Sequence, residues 1–116
     1  MQITLLINNK PKAFIQPFVS GRILRKTIEL DKIFKQMLEE SGEDYENYDR
    51  LKDLDLASEY VAEVFNNQFS PEQYLDGTPS HEVIKTYLRI KTEVETGRNE
   101  VLEINTESKE EADPNA

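Results

Sequence analysis

The sequence has 116 residues, a formal net charge of −9 and no cysteine. This length fits a single domain, and the lack of cysteine excludes disulfides, cysteine-ligated metals and thiol nucleophiles. The negative charge argues against nucleic acid as the partner, because phosphate binding depends on clustered Lys and Arg side chains.

The first predicted element is a β-hairpin over residues 2–16. Ile3, Leu5 and Ile7 recur at every second position, which is the period of a half-buried strand. Turn-forming residues at 8–11 follow, and a second apolar run comes after them. The opening apolar stretch has no basic leader and is too short for a signal peptide or a membrane span, so we expect a soluble protein of the cytoplasm.

Four helices are predicted after the hairpin. The short third helix has the clearest start, because Ser70 and Gln73 have the spacing of a capping box around a proline. Gly77 is expected to end it. The helices are expected at about residues 20–41, 49–66, 70–76 and 79–96. The predicted fold class is α+β and predominantly helical, with an N-terminal β-hairpin followed by a small helical bundle.

The apolar residues of these helices are expected to face a common core. In the first helix they recur at three- and four-residue spacing, at Ile23, Leu24, Ile28, Phe34, Met37 and Leu38. In the second helix the apolar stripe starts at Leu51. The last helix is expected to carry Val83, Ile84, Tyr87, Leu88, Lys91 and Val94 on its inner side.

The C-terminal end differs in composition from the rest of the chain. Val101, Leu102 and Ile104 predict a final docked turn, so the single domain is assigned to residues 1–104. Residues 105–116 are acidic and contain no large apolar side chain. Such a segment cannot bury enough surface to offset its ordering entropy, so a disordered acidic tail is expected.

Residue patterns typical of catalysis are missing from the sequence. His81 is the sole histidine, and its place near a helix start is typical of an exposed polar residue. The four glycines stand apart, without a phosphate-binding motif. Carboxylate pairs such as Asp53 with Asp55 lie in polar surroundings, where solvated charge is the simpler interpretation. We therefore expect no enzyme, no metal site and no cofactor.

Aromatic residues cluster around the second helix and the helices that follow it. One interpretation is that they form the core of a small bundle. The other is that they line a groove for a partner, because Tyr and Phe are enriched at interfaces. The predicted partner-binding residues, between the second and final helices, are Phe65, Phe69, Tyr74, Leu75 and Tyr87.

Charge is unevenly distributed along the sequence. The first third is rich in Lys and Arg, whereas the second helix is acidic. Arg22, Arg25 and Lys26 therefore predict a self-association surface that meets the acidic second helix of another copy. An ordinary solvated surface is the alternative interpretation.

Two stretches of the sequence resemble a known family. Residues 17–29, PFVSGRILRKTIE, resemble the pattern that opens the first helix of the tail assembly chaperones of siphophages infecting Gram-positive bacteria. Residues 60–69, YVAEVFNNQF, and residues 71–77, PEQYLDG, resemble the second signature of that family. The likeness runs from the hairpin into the last predicted helix.

The resemblance implies a role that composition and spacing do not provide. Such chaperones bind the tape measure protein and keep it soluble while tail tube subunits assemble around it. A frameshifted longer form recruits the tube subunits in many phages. The resemblance thus implies a protein of the host cytoplasm that is not part of the mature virion.

The alternative function is an acidic DNA mimic that inhibits a nucleic-acid-binding protein. A mimic should present an extended double row of carboxylates. The many basic residues of the first third disfavour that arrangement.

Overall fold

The computed structural model of the protein describes residues 1–42 and 45–97. Its elements are β1 (Gln2–Ile7), β2 (Lys10–Ile15), α1 (Gly21–Ser41), α2 (Arg50–Val64), α3 (Pro71–Asp76) and α4 (Val83–Thr96), with 3₁₀ turns at Tyr45–Asn47 and Ser80–Glu82. The predicted α+β class, with a hairpin followed by helices, is confirmed. The predicted turn at Val101–Ile104 and the predicted tail at 105–116 lie outside the described residues.

The hairpin is closed by a two-residue turn. Asn8 and Asn9 both have positive φ angles, 54° and 65°, as a type I′ turn requires. In the resulting register Ile3 faces Phe14, and both side chains are buried. Because a lone two-stranded hairpin is marginally stable, this face has to pack on the helices.

Gly77 joins the hairpin to the end of α3. The Leu6 N–H donates to the Gly77 carbonyl at 3.0 Å. A Cβ atom at Gly77 would lie 2.6 Å from the Leu6 carbonyl oxygen and 3.0 Å from the Leu5 Cβ. The position therefore requires glycine because the strand backbone passes too close for a side chain.

The predicted capping box orders the start of α3. The Ser70 hydroxyl accepts from the Gln73 N–H at 3.1 Å, and the Gln73 side-chain oxygen accepts from the Ser70 N–H at 2.9 Å. These bonds satisfy two backbone donors at the helix start.

Helix α2 forms the centre of the bundle and contacts α1, α3 and α4. Its small side chains Ala57 and Ala62 and the adjacent Val61 are completely buried. Small buried side chains let neighbouring helices approach closely, so the positions of α1 and α4 depend on α2.

A buried hydroxyl pair connects α2 to α1. The Thr27 hydroxyl donates to the Ile23 carbonyl at 2.9 Å and lies 2.7 Å from the Tyr60 hydroxyl. A hydroxyl has one hydrogen. Since Thr27 uses its hydrogen on Ile23, Tyr60 is the donor in the bond between the helices.

Replacing Gly77 by alanine should destabilise the fold through steric conflict with β1. We expect Gly77→Ala to lower the free energy of unfolding by about 1–3 kcal/mol. Gly21→Ala is the control, because nothing lies within 4 Å of a Cβ there, and its effect should stay within about 0.5 kcal/mol. Urea unfolding of both variants checks this, and equal stabilities would contradict the close approach.

Because Tyr60 donates to Thr27, removing either hydroxyl should change the free energy of unfolding by a different amount. Tyr60→Phe should cost about 0.5–1.5 kcal/mol, since Thr27 keeps its bond to Ile23. Thr27→Val should cost more, about 1–3 kcal/mol, because it leaves the buried Tyr60 hydroxyl without an acceptor.

Urea unfolding measures both effects. Thr92→Val is the control, as it removes a hydroxyl-to-carbonyl bond from an exposed site. A Tyr60→Phe variant less stable than Thr27→Val would reverse the donor assignment.

Candidate functional site

The predicted partner-binding residues lie mostly in the core. Phe65, Phe69, Tyr74 and Tyr87 are buried, and Leu75 is half-buried. The four aromatic side chains therefore present almost no surface to a partner in the folded chain. Their part in partner binding stays a prediction.

Ring contacts place these aromatics between the hairpin and the helices. Phe69 meets Phe14 of β2 with ring centroids 5.0 Å apart, and Phe65 meets Phe69 at 5.6 Å. Tyr87 of α4 meets Tyr60 of α2 at 5.5 Å. The cluster thus joins all layers of the fold.

The tyrosine hydroxyls of the cluster are poorly hydrated. Burial raises the pKa of Tyr60 to about 12, while its bond with Thr27 opposes part of that rise. Burial raises the pKa of Tyr74 to about 12, and its hydroxyl donates to the Val83 carbonyl. The pKa of Tyr87 is also raised, first by burial and then by nearby Asp31.

Helices α1 and α4 run antiparallel, as two of their side-chain contacts show. The Lys91 ammonium lies 3.1 Å from an Asp31 carboxylate oxygen. Further along α1, Phe34 meets the earlier α4 residue Tyr87 with centroids 6.0 Å apart. These contacts define which flank of each helix borders the other.

Exposed apolar side chains border this junction. By helical periodicity, positions three, four or seven residues from Asp31 or Lys91 share their flank. We call the exposed apolar side chains at these positions the apolar seam. It consists of Leu24, Ile28 and Leu38 on α1 and Ile84 and Leu88 on α4. Its α1 part spans about 21 Å at 1.5 Å per residue.

The seam has a basic border on α1. A shallow depression around Leu24 and Ile28 is also lined by Arg25, Glu29 and Lys32. Contiguous exposed apolar surface with a polar rim is typical of protein-binding sites.

The seam corrects the predicted interior stripe. Leu24, Ile28 and Leu38 belong to the predicted apolar stripe of α1, and Ile84 and Leu88 were expected on the inner side of α4, but all five are exposed. The side of α1 that faces the core runs one position earlier, through the half-buried Ile23 and the buried Thr27. Because Thr27 is polar, the apolar pattern of the sequence did not include it among the inward-facing residues. It is buried because Tyr60 gives its hydroxyl a partner.

Leu51 was also expected inside and is 74% exposed. It lies in the first turn of α2.

The predicted self-association residues have partners within the chain. The Lys26 ammonium lies 3.7 Å from a Glu63 carboxylate oxygen of α2, and Arg25 bonds Glu29 at 3.2 Å. Lys26 was expected to meet the acidic second helix of another copy, and here it meets the second helix of its own chain. Arg22 is exposed beside a shallow depression that Glu63 also lines.

His81 lies on the surface, with its ring nitrogen 3.4 Å from Glu82. Over residues 1–42 and 45–97, no group of three His, Cys, Asp or Glu residues could hold a metal ion. Within the same part of the chain, no helix combines the length and apolar character needed to cross a membrane.

The fold and its surface define a small helical protein with an exposed apolar seam, a surface of the kind that binds other proteins. A family model described as phage tail chaperone protein matches residues 1–113. The chain belongs to this family, which has protein partners in tail assembly. Comparisons with curated proteins and with solved structures found no match.

The buried tyrosines predict a loss of stability in alkali. Tyrosines of the unfolded chain titrate near pH 10, whereas burial raises the pKa of Tyr60 and of Tyr74 to about 12 in the folded chain. Between these values the unfolded chain releases protons that the folded chain retains, so the free energy of unfolding should fall as pH rises.

Urea unfolding midpoints at pH 8, 10 and 11 measure this loss. Tyr60→Phe should show a smaller decline than the wild type. A midpoint that is constant over this range would contradict the burial of the tyrosine hydroxyls.

Proposed function

We propose that this protein is a tail assembly chaperone of a siphophage of Gram-positive bacteria, and that it binds the tape measure protein and keeps it soluble. Family membership supports the assembly role. The apolar seam is the observation that carries the binding role, because it leaves five large apolar side chains exposed. In this proposal the protein acts in the host cytoplasm, performs no catalysis and is absent from the mature virion.

The seam suits a helical partner. Leu24 and Ile28 are four residues apart, as are Ile84 and Leu88, and such pairs form neighbouring contacts along a helix. A partner helix that lies along the α1–α4 junction buries an apolar face against both pairs. Exposed apolar stripes of a long helical chain would otherwise associate with one another.

The charge of the chaperone complements this binding mode. A net charge of −9 keeps a complex with several copies dispersed by mutual repulsion. The basic border at Arg25 and Lys32 places opposite charge next to the apolar contacts. Acidic residues that flank the partner's apolar face would therefore favour the correct register.

The remaining parts of the proposal concern assembly. Tail tube subunits are recruited by a frameshifted longer form of the chain. Copies associate through Arg22, Arg25 and Lys26. In this association Lys26 leaves Glu63 of its own chain and pairs with Glu63 of another copy. Of the aromatic cluster, Tyr87 supports the seam directly, because its ring holds Phe34 of α1 against α4.

The DNA-mimic alternative has less support. A mimic needs unpaired carboxylates in an extended double row. Instead, Asp31 pairs with Lys91, and Glu63 pairs with Lys26. These pairs interrupt the acidic surface at the helix junctions.

Removing apolar surface from the seam should weaken tape measure binding. We expect Leu24→Ser combined with Ile28→Ser to reduce affinity at least tenfold, because each buried side chain contributes about 1.5–3 kcal/mol. Co-expression with the tape measure protein, followed by pull-down and measurement of its soluble fraction, checks this.

Leu51→Ser is the matched control, since Leu51 is a strongly exposed leucine on α2 outside the seam. It should leave binding unchanged, and circular dichroism should show that all variants fold. If the double variant solubilised the tape measure protein as well as the wild type, the seam would not be the binding surface. If the folded wild type did not bind it at all, the proposed function itself would fail.

A further inference from the structure

A pocket lies beside the point where the described part of the chain ends. Its volume is about 290 Å³, and Met1, Val19 and Val94 contribute half-buried apolar side chains to its walls. Gly97, the last described residue, also lines the pocket. The pocket is separate from the apolar seam, because none of the seam residues lines it.

Phe18 lines the same pocket and is 73% exposed, although phenylalanine is among the residues most often buried. Its backbone is held in place by side-chain amides. The Gln16 amide donates to the Phe18 carbonyl at 2.8 Å, and the Gln68 amide donates to the Ile15 carbonyl at 3.0 Å. The ring therefore belongs to an ordered wall whose apolar surface has little cover from the described residues.

The end of α4 delivers the chain to this pocket. Gly97 has a φ of 71°, and its N–H donates to the Glu93 carbonyl at 2.8 Å. This left-handed cap ends the helix and turns the chain away from the helix axis. Residues 98–104, which lie outside the described residues, therefore start at the pocket wall. Seven residues span at most about 25 Å, which exceeds the width of a pocket of this volume.

The composition of residues 98–104 matches the apolar walls. Val101, Leu102 and Ile104 are the sole large apolar side chains of the sequence after Gly97. Water drives such side chains onto apolar surface, and the pocket is the apolar surface closest to them along the chain. Because a few residues tether the segment to the pocket, its effective concentration there exceeds that of the same segment in another copy.

We propose that Val101, Leu102 and Ile104 dock into this pocket and cover Phe18 of the same chain. The docked segment closes an exposed apolar surface that would otherwise attract apolar segments of other proteins. The proposal does not depend on the proposed function, because it uses neither the seam nor a partner protein.

Paramagnetic relaxation enhancement in the full chain tests the docking. Because the sequence contains no cysteine, Asn105→Cys provides a single attachment site for a nitroxide spin label next to the segment. We expect strong broadening of the Phe18 and Val19 amide signals, while the Met37 amide near the other end of α1 keeps its signal. Leu102→Ser combined with Ile104→Ser should reduce the enhancement at Phe18 at least threefold.

Glu100→Gln combined with Glu103→Gln is the matched control. It changes the same segment at two positions but removes no apolar side chain, so it should leave the enhancement at Phe18 unchanged. An enhancement that the serine double variant retains, or that both double variants lose, would overturn the apolar docking.

A mixed sample separates docking within one chain from docking between copies. The ¹⁵N-labelled wild type is mixed with spin-labelled chain that carries no ¹⁵N. Under the proposal the Phe18 and Val19 signals of the wild type keep their intensity. If they broaden as much as in the directly labelled chain, the segment of a second copy occupies the pocket and docking within one chain is wrong.

A fluorophore on the pocket wall gives an independent measurement. The sequence contains no tryptophan, so Phe18→Trp places a single indole at the exposed position. Its emission should lie at shorter wavelength than in the same variant with Leu102→Ser and Ile104→Ser, because docking shields the ring from water. Identical emission spectra would contradict a segment that covers position 18. Tape measure binding plays no part in these measurements, so their outcome is independent of the proposed function.

Discussion

The arrangement of the bundle depends on Tyr60 in the C-terminal half of α2. Its ring packs against Tyr87 of α4, and its hydroxyl donates to Thr27 of α1. One side chain thus sets the positions of the two helices that border the apolar seam. Because the hydroxyl and its acceptor are both buried, any shift of α1 that breaks their bond leaves a polar group without a partner. The contact therefore provides specificity for one helix arrangement as well as stability.

The hairpin depends on the same core but reaches it differently. Phe14 inserts its ring next to Phe69, and Gly77 lets the backbone of β1 lie directly on the end of α3. Neither contact uses charge. This end of the molecule is held by ring packing and by the backbone bond between Leu6 and Gly77, whereas the α1–α4 junction also carries the ion pair between Asp31 and Lys91.

The surface combines exposed apolar side chains, which favour association, with a net negative charge, which opposes it. Five large apolar side chains are exposed along the seam, and their burial in a complex would release water and favour association. The net charge of −9 opposes unlimited association of the protein with itself. The proposed function needs both properties, because apolar surface provides affinity and like charge limits the size of the assembly.

Local sequence patterns were sufficient for much of the fold. Alternating apolar residues and the Asn8-Asn9 turn predicted the hairpin, and Ser70 with Gln73 predicted the start of α3, since strand period, turn geometry and capping depend on residues close in sequence. The last helix starts at Val83, later than about residue 79, because Ser80–Glu82 form a 3₁₀ turn. Such terminal turns are decided by packing more than by local signals.

The candidate site was less accessible to sequence reasoning. The family resemblance indicated a chaperone, but spacing alone could not separate Ile23 from Leu24 as the inward residue, because both fit a helical repeat. The turn of α1 that faces inward is set by Tyr60, which is far away in sequence and whose hydroxyl donates to the buried Thr27. The burial of Glu93 could likewise not be read from the sequence, because burial of a carboxylate depends on which elements cover it. The sequence by itself determined the elements, the charge and the family, while the tertiary structure alone decided which apolar and acidic side chains reach the surface, since burial is a property of contacts between distant segments.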